Sequence, residues 1–304
     1  MSDLADTVLK LLPALLGIAF GVALRWRGVA DQRDADFLFR MIVNVFLPAL
    51  AFTALSRVEI DRNLAIFPLA AVGTMSVGFL AGRFLGAKGP FTRTGAAVAI
   101  CCCMPVNTGF MLPFVQGLYG ADGIARIAAF DAVNTTLTFT WTAYVAARAN
   151  PRHAGGGLMV RRFATSPPLY AIAAGLVVSL FDLPVPAAIG DPLAAIGAAT
   201  GILMAIGVGI RFEAPGRSGL GKAALVYSAR LASALAVAVA FILIFGLTGP
   251  DRTVILLLAV APTAFFIVAF ATMENLDVRL AVNALSLSMI LSLPLTLAVV
   301  FLTA

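Results

Sequence analysis

Apolar stretches long enough to cross a membrane recur along almost the whole chain, and they allow very few architectures. Ten of them, separated by charged or Gly/Pro-rich breaks, are predicted at residues 11–24, 38–55, 64–82, 94–118, 127–147, 166–181, 193–210, 223–247, 253–273 and 280–302. Since one crossing takes about 20 apolar residues, ten crossings use about 200 positions and leave only short connections. With 61% hydrophobic and 12% charged residues, the chain is predicted to be an all-α integral membrane protein without a soluble domain.

Basic residues are distributed unevenly between the two sides of the predicted bundle. Connections after stretches 1, 3, 5, 7 and 9 contain fourteen Lys and Arg, whereas those on the other side contain five. Because basic loops stay in the cytoplasm, both termini are predicted outside, and we expect a multi-pass protein of a bacterial inner membrane. The basic residues form no stripe with aromatic residues, so the net charge of +6 does not indicate a nucleic-acid partner.

An internal repeat is the second organising feature. Five crossings take the chain to the opposite side, so a second set of five would be inverted. Pro13 and Pro168 are 155 positions apart, and Pro105 and Pro262 are 157 apart. We therefore expect a first five-helix repeat at 1–150, a cytoplasmic hinge loop at 151–165 and a second repeat at 166–304. Coincidence remains the alternative, because prolines are common in membrane helices.

Two of the predicted helices are interrupted at matching positions. In the fourth stretch, Pro105 lacks a backbone donor and is followed by the polar residues Asn107 and Thr108. In the ninth stretch, Pro262 and Thr263 lie at the same depth. Half-helices that begin inside a membrane present free N–H groups and positive dipole ends to an anion, so these residues form the predicted substrate site. A simple proline kink with a locally bonded Asn is the alternative.

The fifth stretch carries polar side chains on one helical face. They recur at helical spacing and comprise Asp131, Asn134, Thr135, Thr138 and Thr142. Asp131 is the only acidic residue within a predicted span, and an acid in a bilayer is a functional candidate by default, here for lining the site or accepting a coupling proton. A shallow, solvated position near the outer end is the alternative.

Other polar residues in the spans have less specific interpretations. Arg230 is expected to pair with a substrate carboxylate, to extend to the cytoplasmic headgroups, or to pair within the bundle. Three residues of the tenth span, at four-residue spacing, are interpreted as helix-packing positions: Ser288, Ser292 and Thr296. The consecutive thiols Cys101, Cys102 and Cys103 are expected to fill the core and cannot form a disulfide framework.

Signatures of enzymes and metal sites are missing from the sequence. The single histidine, His153, lies in the predicted hinge loop, and no HExxH, GxSxG, Walker or GxGxxG motif opens a helix. We therefore expect no enzyme activity, no catalytic residues, no metal and no cofactor.

Four stretches of the sequence resemble the auxin efflux carrier family, whose members include plant auxin exporters and bacterial carriers of malonate, malate and similar anions. They are MIVNVFLPALAFTALS, MPVNTGFMLPF, SPPLYAIAAGLVVSL and APTAFFIVAFATMENLDVRLAVNALSLSMILSLPLTL. The resemblance implies ten helices in two inverted repeats, with spans 1, 2, 6 and 7 as a dimerising scaffold and spans 3–5 and 8–10 as a mobile transport unit. It also implies crossing of the broken helices at Pro105 and Pro262, with a substrate carboxylate near Asn107 and a pocket lined by Asp131 and Asn134.

The expected function is therefore elevator-type transport of a small organic anion by a homodimer. Two positions depart from the family pattern: Met111 stands where a glycine is frequent, and Asp131 where plant members carry Gln or Asn. An acid beside an anion site indicates protonation during the cycle or a different substrate. The alternatives are a sodium-coupled symporter of the bile-acid type and, from another class, a membrane receptor or scaffold that binds a ligand without moving it.

Overall fold

The structure is a computed structural model that describes residues 2–56, 64–150, 167–211 and 219–303. In these residues the chain is helical, apart from short connections and one isolated β-bridge. The helices are α1 (Ser2–Trp26), α2 (Gln32–Met41), α3 (Leu47–Leu55), α4 (Ile66–Lys88), α5 (Arg93–Cys103), α6 (Thr108–Leu137), α7 (Ala143–Ala149), α8 (Pro167–Leu180), α9 (Ala187–Ala198), α10 (Thr200–Arg211), α11 (Leu220–Phe245), α12 (Gly249–Val260), α13 (Phe266–Met273) and α14 (Val278–Thr303). The whole of the predicted hinge loop at 151–165, including His153, lies outside the described residues.

The helices coincide with the apolar stretches, and this confirms an all-helical membrane protein. Five helical segments are individually long and apolar enough to cross a bilayer: Gln32–Leu55, Ile66–Lys88, Ala187–Arg211, Leu220–Phe245 and Val278–Thr303. Two of the stretches contain a π-helical turn, at Ile42–Phe46 and Thr138–Thr142. The arrangement of ten spans in two inverted repeats stays a prediction.

Some boundaries differ from those predicted. The helical segment of the seventh predicted span begins with α9, at Ala187 rather than at residue 193. Gly190 and Pro192 lie in its first turns and do not break the helix. Stretches four and five are joined within α6 by a turn at Gly120, where φ is 55° and ψ is −134°. Only glycine adopts this backbone conformation without strain, so the chain reverses there without a loop.

Glycines allow α1 and α10 to pack closely. A side chain added at Gly21 would lie 2.9 Å from the Cα of Gly209, and one at Gly209 would lie 2.2 Å from the Ile18 carbonyl oxygen. Small residues of this kind let membrane helices approach backbone to backbone. The crossing fixes the N-terminal helix against the seventh predicted span.

The start of α2 is fixed by a capping box. The Asp31 carboxylate accepts hydrogen bonds from the backbone N–H groups of Arg33 and Asp34, and the Asp34 side chain accepts one from the Asp31 N–H. The bonds from Asp34 and Arg33 hold the pKa of Asp31 below its ordinary value. These bonds stabilise the N-terminus of α2.

The helices form two groups that meet mainly through α6. The first group consists of α1, α2, α3, α8, α9 and α10, and the second of α4, α5, α7 and α11 to α14. Helix α6 packs against α4 and α12 of the second group and against α1, α3, α8 and α10 of the first. The largest buried cluster lies around it and includes Phe67, Phe110, Phe114 and Phe130.

Large apolar side chains cover the outward faces of both groups. Phe20 in the first group and Phe84, Leu243 and Leu302 in the second are each more than half exposed. Apolar surface of this extent is typical of contact with lipid.

Candidate functional site

The fourth predicted span is interrupted at the expected position. Helix α5 ends at Cys103, and α6 begins at Thr108. Asn107 caps the new helix, because its Oδ1 accepts a hydrogen bond of 3.2 Å from the Phe110 N–H. Pro105 lies in the extended segment between the two helices, where its missing donor disrupts no helical hydrogen bond.

The ninth span is interrupted in the same way, and the two breaks meet. Helix α12 ends at Val260 and α13 begins at Phe266. Val106 and Thr263 form an antiparallel β-bridge, and the Asn107 N–H donates a 3.0 Å hydrogen bond to the Pro262 carbonyl. The N-terminal ends of α6 and α13 are therefore brought next to this junction, which we call the crossover.

Side chains from α6 and α14 hold the extended backbone of the crossover in place. The Asn134 amide both donates to the Val106 carbonyl and accepts from the Val106 N–H, each at 3.0 Å. On the other strand, the Thr263 N–H donates to Ser288 Oγ at 3.2 Å. Ser288 was interpreted as a packing position. The signal that could have identified it is its offset of 154 positions from Asn134, close to the offset of 157 between the two broken segments.

Asp131 is partly buried beside the crossover. Its Oδ1 accepts hydrogen bonds from Thr108 Oγ1 at 2.7 Å and from Asn134 Nδ2 at 3.1 Å. Asp131 lies about 15 Å along the helix from the Gly120 turn, at 1.5 Å per residue. Within the described residues, no Lys or Arg forms an ion pair with it.

A small cavity lies between α6 and the first group of helices. Its volume is about 40 Å³, room for the centres of about three water molecules. Its walls are apolar except at Thr108 and Asp131, and the lining residues are Leu47, Ala51, Thr108, Gly109, Leu112, Ile124, Ile127, Ala128, Asp131, Ile172 and Met204. The Thr108–Asp131 hydrogen bond is therefore the polar feature of this wall.

The crossover offers hydrogen-bond donors to an anion. Asn107 is 7% exposed, and its Nδ2 has no partner among the described residues. It lies at the N-terminus of α6, where free N–H groups and the helix dipole favour negative charge. The amide and the helix dipole together suit a carboxylate better than a cation.

Comparison with known proteins identifies the class of this molecule. A profile of the family described as "Membrane transport protein" matches residues 6–300. The chain belongs to this family. The membership confirms the resemblance to the auxin efflux carriers.

A relative from Methanothermobacter thermautotrophicus (strain Delta H), described as "Uncharacterized transporter", is 30% identical over 297 residues, which cover 95% of this chain and 94% of the relative. Members of the membrane transport protein family are transporters rather than enzymes, in agreement with the missing catalytic motifs. The match runs through both broken helices, so the whole bundle, with its crossover, belongs to the family region.

Arg230 does not extend to the headgroups, and that alternative is wrong. It is 2% exposed, and its Nη1 donates to the Ala259 carbonyl at 3.3 Å, next to the end of α12. The negative end of the helix dipole attracts the guanidinium inward. The adjoining thiols of Cys101, Cys102 and Cys103 are buried and free, as expected of core positions.

A contact that the sequence did not reveal joins the two groups on the other side of the crossover. The guanidinium carbon of Arg211 lies 5.0 Å from the ring centroids of both Phe39 and Phe265, and the two rings are 5.5 Å apart. Arg211 also pairs with Asp36. Phe265 directly precedes α13, so this aromatic clamp (Phe39, Arg211 and Phe265) connects α2 and α10 to the broken ninth span.

Proposed function

We propose that the protein is a secondary transporter that moves a small organic anion across the bacterial inner membrane by an elevator-type mechanism. The observation that carries the proposal is the unpartnered Asn107 Nδ2 at the N-terminus of α6. A buried amide without a partner costs free energy, which a bound carboxylate would recover. Asn107, Thr108 and the two half-helix N-termini bind the carboxylate, while Pro105, Pro262 and Thr263 form the crossover that orients them.

Asp131 is the group that carries a coupling proton in the transport cycle. An ionised Asp131 beside Thr108 would repel an anion on the same cavity wall. The repulsion between two negative charges is strong where water is excluded. Protonation removes this repulsion and makes the carboxyl group a donor. The transported species is thus an organic anion together with a proton, and Asn134 both supports the crossover and orients Asp131.

The separation of the helices into two groups supports an elevator-type mechanism. The cavity lies at their boundary, and the main contacts across that boundary involve α6. The helix pairs also repeat: α1 with α10 corresponds to α8 with α3, and α4 with α5 corresponds to α11 with α12. This pattern supports two inverted repeats, with the first group as the dimerising scaffold and the second group with α6 as the moving unit.

The orientation expected from the positive-inside rule indicates which side of the membrane the cavity faces. With that orientation we propose that the cavity, which Leu112 and Ile124 line, lies on the outer side of the crossover and the aromatic clamp on its inner side. A volume of about 40 Å³ is too small for a dicarboxylate. The two groups must therefore separate at this boundary for substrate to enter.

Thermal stability of the purified protein tests the site. Malonate, malate and indole-3-acetate are added separately to wild type, Asn107→Ala and the control Asn44→Ala, which removes an exposed amide bonded within its own helix. A ligand at about 100 times its Kd stabilises by roughly 2.7 kcal/mol. We expect one acid to stabilise wild type and Asn44→Ala but not Asn107→Ala. Equal stabilisation of all three would place the site elsewhere.

Transport assays separate the remaining alternatives. In proteoliposomes, a transporter accumulates the stabilising acid with time, whereas a receptor or scaffold only binds it. Accumulation driven by an inward proton gradient supports the proposal. Accumulation that needs an inward sodium gradient and is lost in Asp131→Asn would instead support the bile-acid type of symporter.

A further inference from the structure

A second cluster of buried polar side chains lies between α11 and α14, behind the crossover. Tyr227 and Arg230 are three residues apart on α11 and so share a face, and Ser292 belongs to α14. They are 5%, 2% and 0% exposed, respectively. The Tyr227 hydroxyl lies near Ser292 and the Arg230 guanidinium but forms no hydrogen bond with either.

The donors of this cluster are largely unused. Among the described residues, no hydrogen-bond partner exists for Arg230 Nε and Nη2, Tyr227 Oη or Ser292 Oγ. The Ala259 carbonyl accepts a single bond from Arg230, at 3.3 Å. A carbonyl is a partial charge, so one such bond does not neutralise a guanidinium enclosed at membrane depth.

The surroundings of Arg230 contain no carboxylate among the described residues. The groups that act on it electrostatically are Tyr227, Cys102 and Cys103, whose protonated forms carry no charge. Both thiols are buried, and Cys103 Sγ donates to the Val226 carbonyl. The cation therefore lacks a counter-charge within the described protein, although buried charges are otherwise paired.

The cluster is separate from the transport cavity. That cavity is lined by α3, α6, α8 and α10, whereas α11 packs against α4, α5, α12 and α14. A different, smaller cavity of about 10 Å³ is lined by Ala234, one turn beyond Arg230, and by Ala259, whose carbonyl Arg230 contacts. It admits about one sphere of the size of a water molecule.

We infer that Arg230, Tyr227 and Ser292 form a second anion site, which binds one small inorganic anion of the size of chloride. The guanidinium supplies the charge and two N–H donors, and the two hydroxyls complete the coordination. Because the three side chains are at most 5% exposed, the site suits a monatomic anion better than an organic acid. The bound anion neutralises Arg230 and holds α11, α12 and α14 together, so it stabilises the second group without being transported.

Chloride titration of the purified protein tests this site. The protein is prepared in sodium gluconate, and chloride replaces gluconate at constant sodium concentration and ionic strength while the melting temperature is measured. We expect a saturable rise for wild type. Each hydroxyl donates to a charged ligand, so Tyr227→Phe and Ser292→Ala should each raise the half-saturating chloride concentration by about tenfold or more.

Two controls keep the result specific. Ser233→Ala removes a hydroxyl on the same helix that bonds only to the Arg230 carbonyl, and it should titrate like wild type. Asn107→Ala should also titrate like wild type, because the crossover site is separate, and this distinguishes the inference from the proposed function. An identical melting temperature in chloride and gluconate, or unchanged titration of Tyr227→Phe and Ser292→Ala, overturns the inference.

Discussion

The side-chain amide of Asn134 forms hydrogen bonds to both backbone polar groups of Val106, each 3.0 Å long. An extended segment in the middle of a membrane bundle has no helical partners for its N–H and C=O groups, and lipid offers none. Asn134 satisfies this need from the neighbouring helix and also donates to Asp131. The backbone of the crossover and the acidic group of the cavity wall are therefore positioned by the same amide.

Replacement of Asn134 by leucine should destabilise the protein and abolish transport. It leaves two buried backbone groups unsatisfied, each at a cost of about 1–3 kcal/mol. Ser288→Ala leaves only the Thr263 N–H without its partner, so its effect should be about half as large. A fluorogenic maleimide reports the melting temperature of both variants, because the buried thiols of Cys101 to Cys103 react only on unfolding. Equal melting temperatures for Asn134→Leu and Ser288→Ala would contradict this assignment.

Much of this architecture could be predicted from the sequence because membrane helices have simple requirements. A bilayer requires long apolar stretches, and a proline in such a stretch removes a backbone donor. The breaks at Pro105 and Pro262 follow from these two facts, and the shared face of Asp131 and Asn134 follows from their helical spacing. What the proposed site binds is not determined by these rules.

Contacts between distant segments could not be predicted in the same way. The depth of Arg230 was apparent from the sequence, but the rotation of α11 decides whether its side chain faces lipid or Ala259. Phe39 and Phe265 are 226 positions apart, and nothing local indicates that their rings meet. The spacing of Ser288, Ser292 and Thr296 fits helix packing and crossover support equally well.

Asp131→Asn should separate protonation from substrate binding. The asparagine keeps an oxygen that accepts from Thr108 and Asn134, so the local geometry is preserved, but the group no longer ionises. Binding of the stabilising acid to wild type should weaken as Asp131 loses its proton with rising pH, while binding to Asp131→Asn should change only with the titration of the acid itself. Thermal shift at a series of pH values measures the difference. Parallel pH profiles would exclude Asp131 as the coupling group.

Gly209→Val should prevent the close packing of α1 and α10. The new Cβ would lie 2.2 Å from the Ile18 carbonyl oxygen and 2.9 Å from the Gly21 Cα. Both are backbone atoms that cannot move independently, so we expect a loss of at least about 1–3 kcal/mol of stability. Gly221→Ala is the control, since nothing lies within 4 Å of its Cβ position and alanine favours a helix by about 0.5–1 kcal/mol. Thermal unfolding of the two variants should shift in opposite directions.

Phe265→Ala should loosen the inner side of the crossover by removing the aromatic clamp. It eliminates the contacts with Arg211 and Phe39, which together contribute about 1–3 kcal/mol. Hydrogen exchange at the start of α13 and in α2 should therefore accelerate roughly five- to hundredfold. Phe266→Ala is the matched control, because its ring contacts Phe139 in the π-helical turn between α6 and α7 and, among the described residues, contacts no ring of the first group. If both variants exchange alike, the clamp does not hold the two groups together.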